Sequence, residues 1–540
     1  MNSTAQNTEK ISLFEKISYA LGDGAANIAW RGVSVFLMIY YTDVFGLSPA
    51  AVGWLMLAVR FSDGVSDVAM GAICDRTHSK YGHFRPWVLW TAIPLAVILS
   101  LMFAGNPDWS DTTKIIYAFT TYILYTLIYT ANNIPYGALM SVMTPDDKER
   151  TTLGSFRMAG AFTGGMLVQG LLLFLVTYFG NVDPNINVEK TGDQQYAVTL
   201  TVPQNVEHLR METEHSIVEL YSTDLANDTY TKAKSFSAEA GKTYNFVAKG
   251  DEEITSESFR IVNQQKGYST SIYVMSGLLA LLLFLTFWGT RERVDAPKTQ
   301  KTDLGADLKD LVKNFPWWIL LIVALLYNIY NNGKQGITVM YFTHYLHDQL
   351  LAASYMVGLM IASIAGAIAT TPLSRIMGKK NLFIAALLFS AGVNSLIYFC
   401  GEKDTTAIFA LGLLSEAGAA IFPTLFFAML GDVADYSEYV NGRRATGLVY
   451  SAGSFATKFA GGISIWIIGL VLAMYNYDGM DMASIEGARP AIVMLMSWIP
   501  AIFCVVAAVI MAFYPLTAEK SAEITKELQN RRKLEEKIMG

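Results

Sequence analysis

Apolar runs of about 20 residues recur along nearly the whole chain, and each is long enough to cross a hydrocarbon core of roughly 30 Å. In lipid every backbone polar group must be bonded within the protein, so runs of this kind that are not β-barrel strands must be helices. About twelve such runs can be read. They cover residues 17–41, 49–73, 87–104, 115–140, 154–179, 271–288, 316–345, 352–377, 382–400, 407–430, 446–475 and 491–513. With 52% hydrophobic and only 16% charged positions in 540 residues, one polytopic chain fits better than several soluble domains. The expected fold is therefore an all-α integral membrane protein of about twelve transmembrane helices.

Lys and Arg in the short loops set the expected orientation. The basic loops RTHSKYGHFR, DDKERTT, RERVDAPKTQK, MGKK and NGRR alternate with the poorly basic DVFGLS, GNPDWSDTT, HDQLL and NYDGMDMASIEGA. Both termini are thus expected in the cytoplasm, with the chain a multi-pass protein of the cytoplasmic (inner) membrane. The first stretch, MNSTAQNTEKISLFEK, carries acids and no apolar core ending in a cleavage site, so the first run is expected to be retained. Cys74, Cys400 and Cys504 have no paired spacing, which argues against a disulfide framework or a metal cluster. The formal charge of −6 says little about the spans, because much of the acidity lies in a polar insertion, 180–268, between the fifth and sixth runs. Its alternating stretches AVTLTV and KTYNFVAKG predict a small β-rich module outside the cytoplasm.

The loop GAICDRTHSKYGHFRPW after the second run has an echo, SRIMGKKNLF, after the eighth. Six runs, a charged linker and six more runs make two six-helix pseudo-repeats, an organisation that suits alternating access around a site near the bilayer midplane between the halves. The expected boundaries are 1–179 for helices 1–5, 180–268 for the insertion and 269–290 for helix 6. A cytoplasmic linker at 291–315, helices 7–12 at 316–514 and a cytoplasmic tail at 515–540 complete the chain.

An ionisable residue at membrane depth costs at least roughly 2.5 kcal/mol, so each one needs a partner or a wet cavity. In the first run Asp23, Asn27 and Arg31 recur every four residues and share one helical face. In the second, Asp63 and Asp67 project from adjacent turns beside Arg60 and Ser66. Two carboxylates so placed repel unless a cation, a proton or a base neutralises them. One reading is a Na⁺ or H⁺ site of hard oxygen ligands. The other is a buried Arg60–Asp63 ion pair, with Asp67 bonded to neighbouring helices. Thr130, Asn133 and Gly137 share a face of the fourth run, where Pro135 loosens the ladder. The stretch YNIYNNGKQG, with Asn328, Asn331, Asn332 and Lys334, predicts a break in the seventh helix. Glu416 and Lys458 add charges in later runs, while Arg157 and Lys334 lie where they can snorkel to a membrane edge. Trp30, Trp54, Tyr129, Tyr136 and Tyr327 are candidates for stacking on a sugar ring, with packing as the commoner role.

Several of these stretches together carry a resemblance. YYTDVFGLS, VRFSDGVSDVAMG, SKYGHFRPW, NIPYGAL, DYSEYVNGRR and SFATKFAGG resemble the glycoside-pentoside-hexuronide:cation symporters, the group that includes melibiose permease and has the major facilitator fold. The matches spread over both halves and nearly the whole chain apart from the insertion. The resemblance implies a cation site at Asp63, Ser66, Asp67 and Thr130, with Ser66 standing where melibiose permease has asparagine. It implies a sugar site that includes Asn27, Asn133, Arg157 and Lys458, with Arg31 on the same face as Asn27. Melibiose permease has acids at the positions of Asn27 and Asn133. GDGAAN and NIPYGAL look more like the relatives that carry glucuronides and xylosides. Loss of two acids, with Arg31, Arg157, Lys334 and Lys458 retained, predicts excess positive charge that an acidic glycoside would balance, although Glu416 could neutralise Lys458.

The function so implied is cation-coupled symport of a sugar or glycoside, a hexuronide among the candidates. The coupling ion is Na⁺ or H⁺, with Na⁺ the metal candidate at Asp63 and Asp67. No other cofactor and no nucleic acid is expected, only sugar, a monovalent cation and membrane lipid, with the monomer as the functional unit. Asp75, Arg76, Lys80, Arg85, Asp432, Asp435, Glu438, Arg443 and Arg444 are expected to form an inner gate by pairing across the halves. No nucleophile with a neighbouring base, metal-ligand cluster or phosphate loop points to an enzyme. The alternative from another class is a non-transporting sugar sensor with the same fold.

Overall fold

A computed structural model describes residues 11–77, 79–144, 147–192, 194–213, 219–222, 231–232, 236–249, 253–293, 312–441, 446–517, 519–521, 523–524, 526–528 and 530. The apolar runs are helical. In chain order they are α1 (Leu13–Ile39), α2 (Pro49–Arg76), α3 (Arg85–Met102), α4 (Asp111–Met143), α5 (Asp147–Gly180), α6 (Gln264–Gly289) and α7 (Phe315–His344). There follow α8 (Gln349–Met377), α9 (Lys379–Ser395), α10 (Thr405–Ala419), α11 (Ile421–Asn441), α12 (Thr446–Met474), α13 (Met482–Met496) and α14 (Trp498–Ala512). Ser12, Ser48 and Ser110 cap α1, α2 and α4 by accepting the N–H three residues on, the donor that a helix start leaves without an intrahelical partner.

Among the described residues seven helical segments are long and apolar enough to cross a bilayer, with two shorter apolar helices, Pro49–Arg60 and Lys458–Met474. The helices α1, α4 and α7, of 27, 33 and 30 residues, are not among the seven. α1 carries Asn27 with Asp23 and Arg31, α4 carries Asn132 and Asn133, and α7 carries three asparagines and Lys334.

Two expected runs are each divided in two. The run at 407–430 breaks at Ala420 and continues as α11 to Asn441, and the run at 491–513 divides at Ser497. Both breaks lie three residues before a proline, Pro423 and Pro500, which has no N–H for the carbonyl four residues earlier. Side chains take over that role. The Tyr327 hydroxyl donates to the Ala419 carbonyl at 2.8 Å, and the Asn394 amide donates to the carbonyls of Met496 at 3.0 Å and Ser497 at 2.7 Å. Satisfied in this way, broken backbone is tolerated inside a bilayer.

The break expected in α7 is absent: the helix runs unbroken through YNIYNNGKQG. Several of its polar side chains turn back on their own helix. Asn328 donates to the Ala324 carbonyl at 2.7 Å, Asn332 to that of Asn328 at 2.8 Å, and Thr338 to that of Lys334 at 2.7 Å. Side-chain bonds made locally leave the main-chain ladder intact.

The chain divides into two compact units. Unit 1 comprises Met1–Pro297, Phe342–Met356 and Leu472–Ala488, and unit 2 comprises Lys298–Tyr341, Val357–Val471 and Arg489–Gly540. In unit 1, α1 crosses α5 at close range. A Cβ on Gly160 would lie 2.0 Å from the Ala20 carbonyl oxygen, and one on Gly164 2.2 Å from that of Gly24, so only glycine permits this approach. The core of unit 2 is built from Leu320, Val323, Phe383, Phe422, Phe426, Ala507 and their neighbours.

Between α5 and α6, the described residues of unit 1 form eight strands, β1 (Asn185–Gly192), β2 (Gln195–Thr201), β3 (Val206–Thr213), β4 (Glu219–Ser222), β5 (Thr231–Lys232), β6 (Phe236–Ala238), β7 (Thr243–Lys249) and β8 (Phe259–Asn263), in two sheets of order β1-β2-β7-β4-β5 and β6-β3-β8. Strand β2 (Gln195–Thr201) pairs antiparallel with β7 (Thr243–Lys249) in a register that sets Val198 opposite Phe246. Burial alternates along β2, so Tyr196, Val198 and Leu200 point into a small core with Tyr244 and Phe246, as the period-two pattern requires.

Candidate functional site

Asp63 and Asp67 sit one turn apart on α2, and Thr130 reaches them from α4, all in unit 1. The Arg60 guanidinium holds one Asp63 oxygen, Nη1 to Oδ2 at 2.8 Å. The second oxygen, Oδ1, is buried without a hydrogen-bond partner, on a residue only 3% exposed. Thr130 donates to Asp67 Oδ1 at 3.1 Å, and the Ser66 hydroxyl donates to the Asp63 carbonyl at 3.0 Å. The arrangement is that of the second sequence reading, an Arg60–Asp63 ion pair with Asp67 bonded to α4, and the pair leaves one Asp63 carboxylate oxygen without a hydrogen-bond partner. Among the described residues no three His, Cys, Asp or Glu side chains gather as a metal cluster. Two carboxylates with hydroxyl neighbours are hard oxygen donors, suited to a light cation or a proton and not to a thiophilic metal.

The polar face of α1 meets α5. Arg157 Nε lies 3.2 Å from Asp23 Oδ2, and its guanidinium rests over the Tyr136 ring, 5.5 Å from the centroid. Tyr136 stacks on Tyr19 with ring centres 4.8 Å apart and donates to the Tyr19 carbonyl at 2.7 Å. Arg157 is thus held by a carboxylate and a ring. Asn27 donates to the Asp23 carbonyl at 3.0 Å, and Arg31 and Asn133 are part-buried on α1 and α4. Lys458 is part-buried on α12 of unit 2.

Unit 2 contains a second matched pair. Lys334, fully buried, lies 3.7 Å from Glu416 Oε2, while Ser363 donates to Glu416 Oε1 at 2.8 Å. Glu416 accordingly pairs with Lys334, and Lys334, wholly inaccessible, does not snorkel. Two of the four bases behind the expected excess of positive charge therefore have carboxylates of their own. Of the aromatic candidates, Tyr136 is taken up by Tyr19, and Tyr327 stacks on Phe422 with centres 3.6 Å apart. Trp54 is exposed, while Trp30 and Tyr129 face each other at 5.8 Å.

Of the gate candidates, Arg85 and Asp432 have partners inside their own units. Arg85 donates to the Phe287 carbonyl at 2.7 Å and lies over the Phe287 ring, while Glu292 accepts the backbone N–H groups of His83, Phe84 and Arg85. Asp432 takes Lys379, at 2.7 and 3.0 Å. Arg76 is exposed and Asp435 part-buried. The Asp75 side chain, Arg443 and Arg444 lie outside the described residues.

Sequence reasoning missed a polar cluster in unit 1. Asp43, in the π-helical turn Tyr40–Val44 that ends α1, accepts from Thr42 at 2.6 Å and from Tyr477 at 2.7 Å, and meets His344 Nε2 at 2.5 Å. All four are nearly inaccessible. The motif YYTDV was visible, but its partners lie 301 and 434 residues away, and no local periodicity signals them.

The signature of a family described as MFS/sugar transport protein matches residues 18–518. The inner membrane symporter YicJ of Escherichia coli (strain K12) is 28% identical over 98% of this chain and 98% of its own length. The isoprimeverose transporter of Lactiplantibacillus pentosus is 28% identical over 93% of this chain and 88% of its own. Among solved structures, a D-xylose-proton symporter superposes with a TM-score of 0.60 at 12% identity, covering 93% of this chain and 97% of that one, which shows a shared fold. These similar proteins are membrane transporters, not enzymes, and give no support to a non-transporting sensor. The chain belongs to the MFS/sugar transport protein family and has the major facilitator fold.

Proposed function

We propose that this protein is a secondary active symporter that couples a monovalent cation, Na⁺ or H⁺, to the movement of a neutral sugar or glycoside by alternating access. The observation that carries the reading is the α2 carboxylate pair, in which Asp63 keeps one buried oxygen unpaired while Asp67 is aligned by Thr130. A cation at Asp63 and Asp67, with Ser66 and Thr130 beside it, would relieve both the repulsion and the unpaired oxygen. Asn27, Arg31, Asn133, Arg157 and Lys458 are the proposed sugar contacts, and the isoprimeverose relative supports a sugar as the substrate class. A neutral sugar is preferred to a hexuronide because Arg157 and Lys334 are already matched by Asp23 and Glu416. In this reading the membrane is the cytoplasmic one and both termini face the cytoplasm.

Linkage requires that cation and sugar raise each other's affinity by the same factor, typically 5–150-fold for a coupled pair. Sugar binding to purified protein is measured for a neutral glycoside and its uronide counterpart, at low and saturating Na⁺ and at neutral and acid pH. The expected result is tighter binding of the neutral glycoside, strengthened by one of the two cations in the wild type and by neither in Asp67→Asn. Equal binding of neutral and uronic forms would remove the neutral preference, and a cation effect that survives Asp67→Asn would remove the site.

A further inference from the structure

The charge offered by the cation site depends on a residue that holds no cation itself. Asp63 and Asp67 together carry two negative charges, and Arg60 returns one positive charge to the same place. Arg60 is only 8% exposed, so its charge is not dispersed into solvent. Its guanidinium lies over two rings from different helices, 5.1 Å from the Trp30 centroid on α1 and 6.0 Å from that of Tyr122 on α4. Both distances fall in the range where a ring face attracts a cation, and tryptophan is the strongest such face. Arg60 meets Asp63 through Nη1 to Oδ2, and Oδ1 stays unpaired. A guanidinium left to itself next to a carboxylate favours the two-pronged contact, which would consume both oxygens.

We propose that Trp30 and Tyr122 are positioning residues that hold Arg60 on one oxygen of Asp63. Arg60 sets the carboxylate pair to a single net negative charge and the rings keep one oxygen open, an arrangement matched to one monovalent cation and not a divalent one. This rests on the assignment of the cation to Asp63 and Asp67 made above. Three helices of unit 1 contribute to the arrangement: α1 with Trp30, α2 with Arg60, Asp63 and Asp67, and α4 with Tyr122 and Thr130. The aromatic faces supply orientation and Arg60 supplies charge, so the two roles separate experimentally.

The charge is tested with Mn²⁺, a divalent ion that takes carboxylate and hydroxyl oxygens and is counted by the loss of its free electron-paramagnetic-resonance signal. Full-length wild type should retain no stoichiometric Mn²⁺, whereas Arg60→Gln should bind about one per chain at least tenfold more tightly, lost again when Asp67→Asn is added. Arg60→Gln that binds no more Mn²⁺ than the wild type overturns the charge-setting role. Mn²⁺ that persists after Asp67→Asn overturns instead the cation-site assignment on which this rests.

Positioning is read separately, from the concentration of coupling cation that half-saturates uptake. Trp30→Leu should raise it about tenfold with little change in maximal rate, because the freed guanidinium closes over Oδ1, and Trp30→Phe should restore it. In the Arg60→Gln background Trp30→Leu should leave Mn²⁺ binding unchanged. An unaltered half-saturation in Trp30→Leu, or equal losses in the Leu and Phe variants, would overturn the positioning role.

Discussion

At the scale of single residues, charge pairs organise the interior of this protein. Lys334 and Glu416 illustrate the energetics: removing one partner of a buried pair leaves an uncompensated charge, whereas replacing both often costs little. Glu416→Gln should therefore destabilise the protein by about 3–5 kcal/mol, and Lys334→Met combined with Glu416→Leu should recover most of that loss. Thermal unfolding in detergent checks the cycle, and additive losses in the double variant would contradict it. The residue types at these positions were legible in the sequence, because a charge inside an apolar run must be accounted for. Their pairings were not: Asp23 finds Arg157 134 residues away, and Asp43 finds His344 301 residues away. Such distances in sequence leave no periodic trace. Counting bases cannot show which carboxylate each base meets, and Arg157 and Lys334 meet Asp23 and Glu416.

At the scale of elements, helices were readable because runs of twenty apolar residues have few other solutions in lipid, and boundaries fell within a few residues of the pattern at α8, α12 and α3. The divided helices had a signal that hydropathy overlooks. Pro423 and Pro500 each remove a donor, and the freed carbonyls are met by Tyr327 and Asn394. Tyr327→Phe should leave the Ala419 carbonyl without a donor and cost roughly 1–3 kcal/mol, a loss that shows as a lower unfolding midpoint. An unchanged midpoint would mean that the break does not depend on that hydroxyl. The α7 sequence erred in the opposite direction, because asparagines that look like breakers are harmless once their amides bond the preceding turn. The α1–α5 crossing makes a further prediction. Gly164→Ala places a methyl 2.2 Å from a main-chain oxygen, so the helices must part. A cost of about 1–3 kcal/mol and a lower yield of monodisperse protein are expected.

At the scale of the whole molecule, membrane class, the major facilitator fold and the symporter resemblance all followed from patterns spread over most of the chain. The candidate cation residues were legible too, as two acids one helical turn apart in an apolar run. What sequence could not supply was how Arg60 divides the two oxygens of Asp63, a matter of side-chain geometry set by rings on two other helices. The proposed coupling, in which energy stored in a cation gradient passes through Asp63 and Asp67 to drive sugar movement, is measurable only across a sealed membrane. It is tested most directly by uptake of a neutral glycoside into proteoliposomes under an imposed Na⁺ or H⁺ gradient, for the wild type and Asp67→Asn. The account predicts accumulation above the external concentration with one of the two gradients, abolished in Asp67→Asn while the variant remains folded. Accumulation that persists undiminished in Asp67→Asn would contradict it.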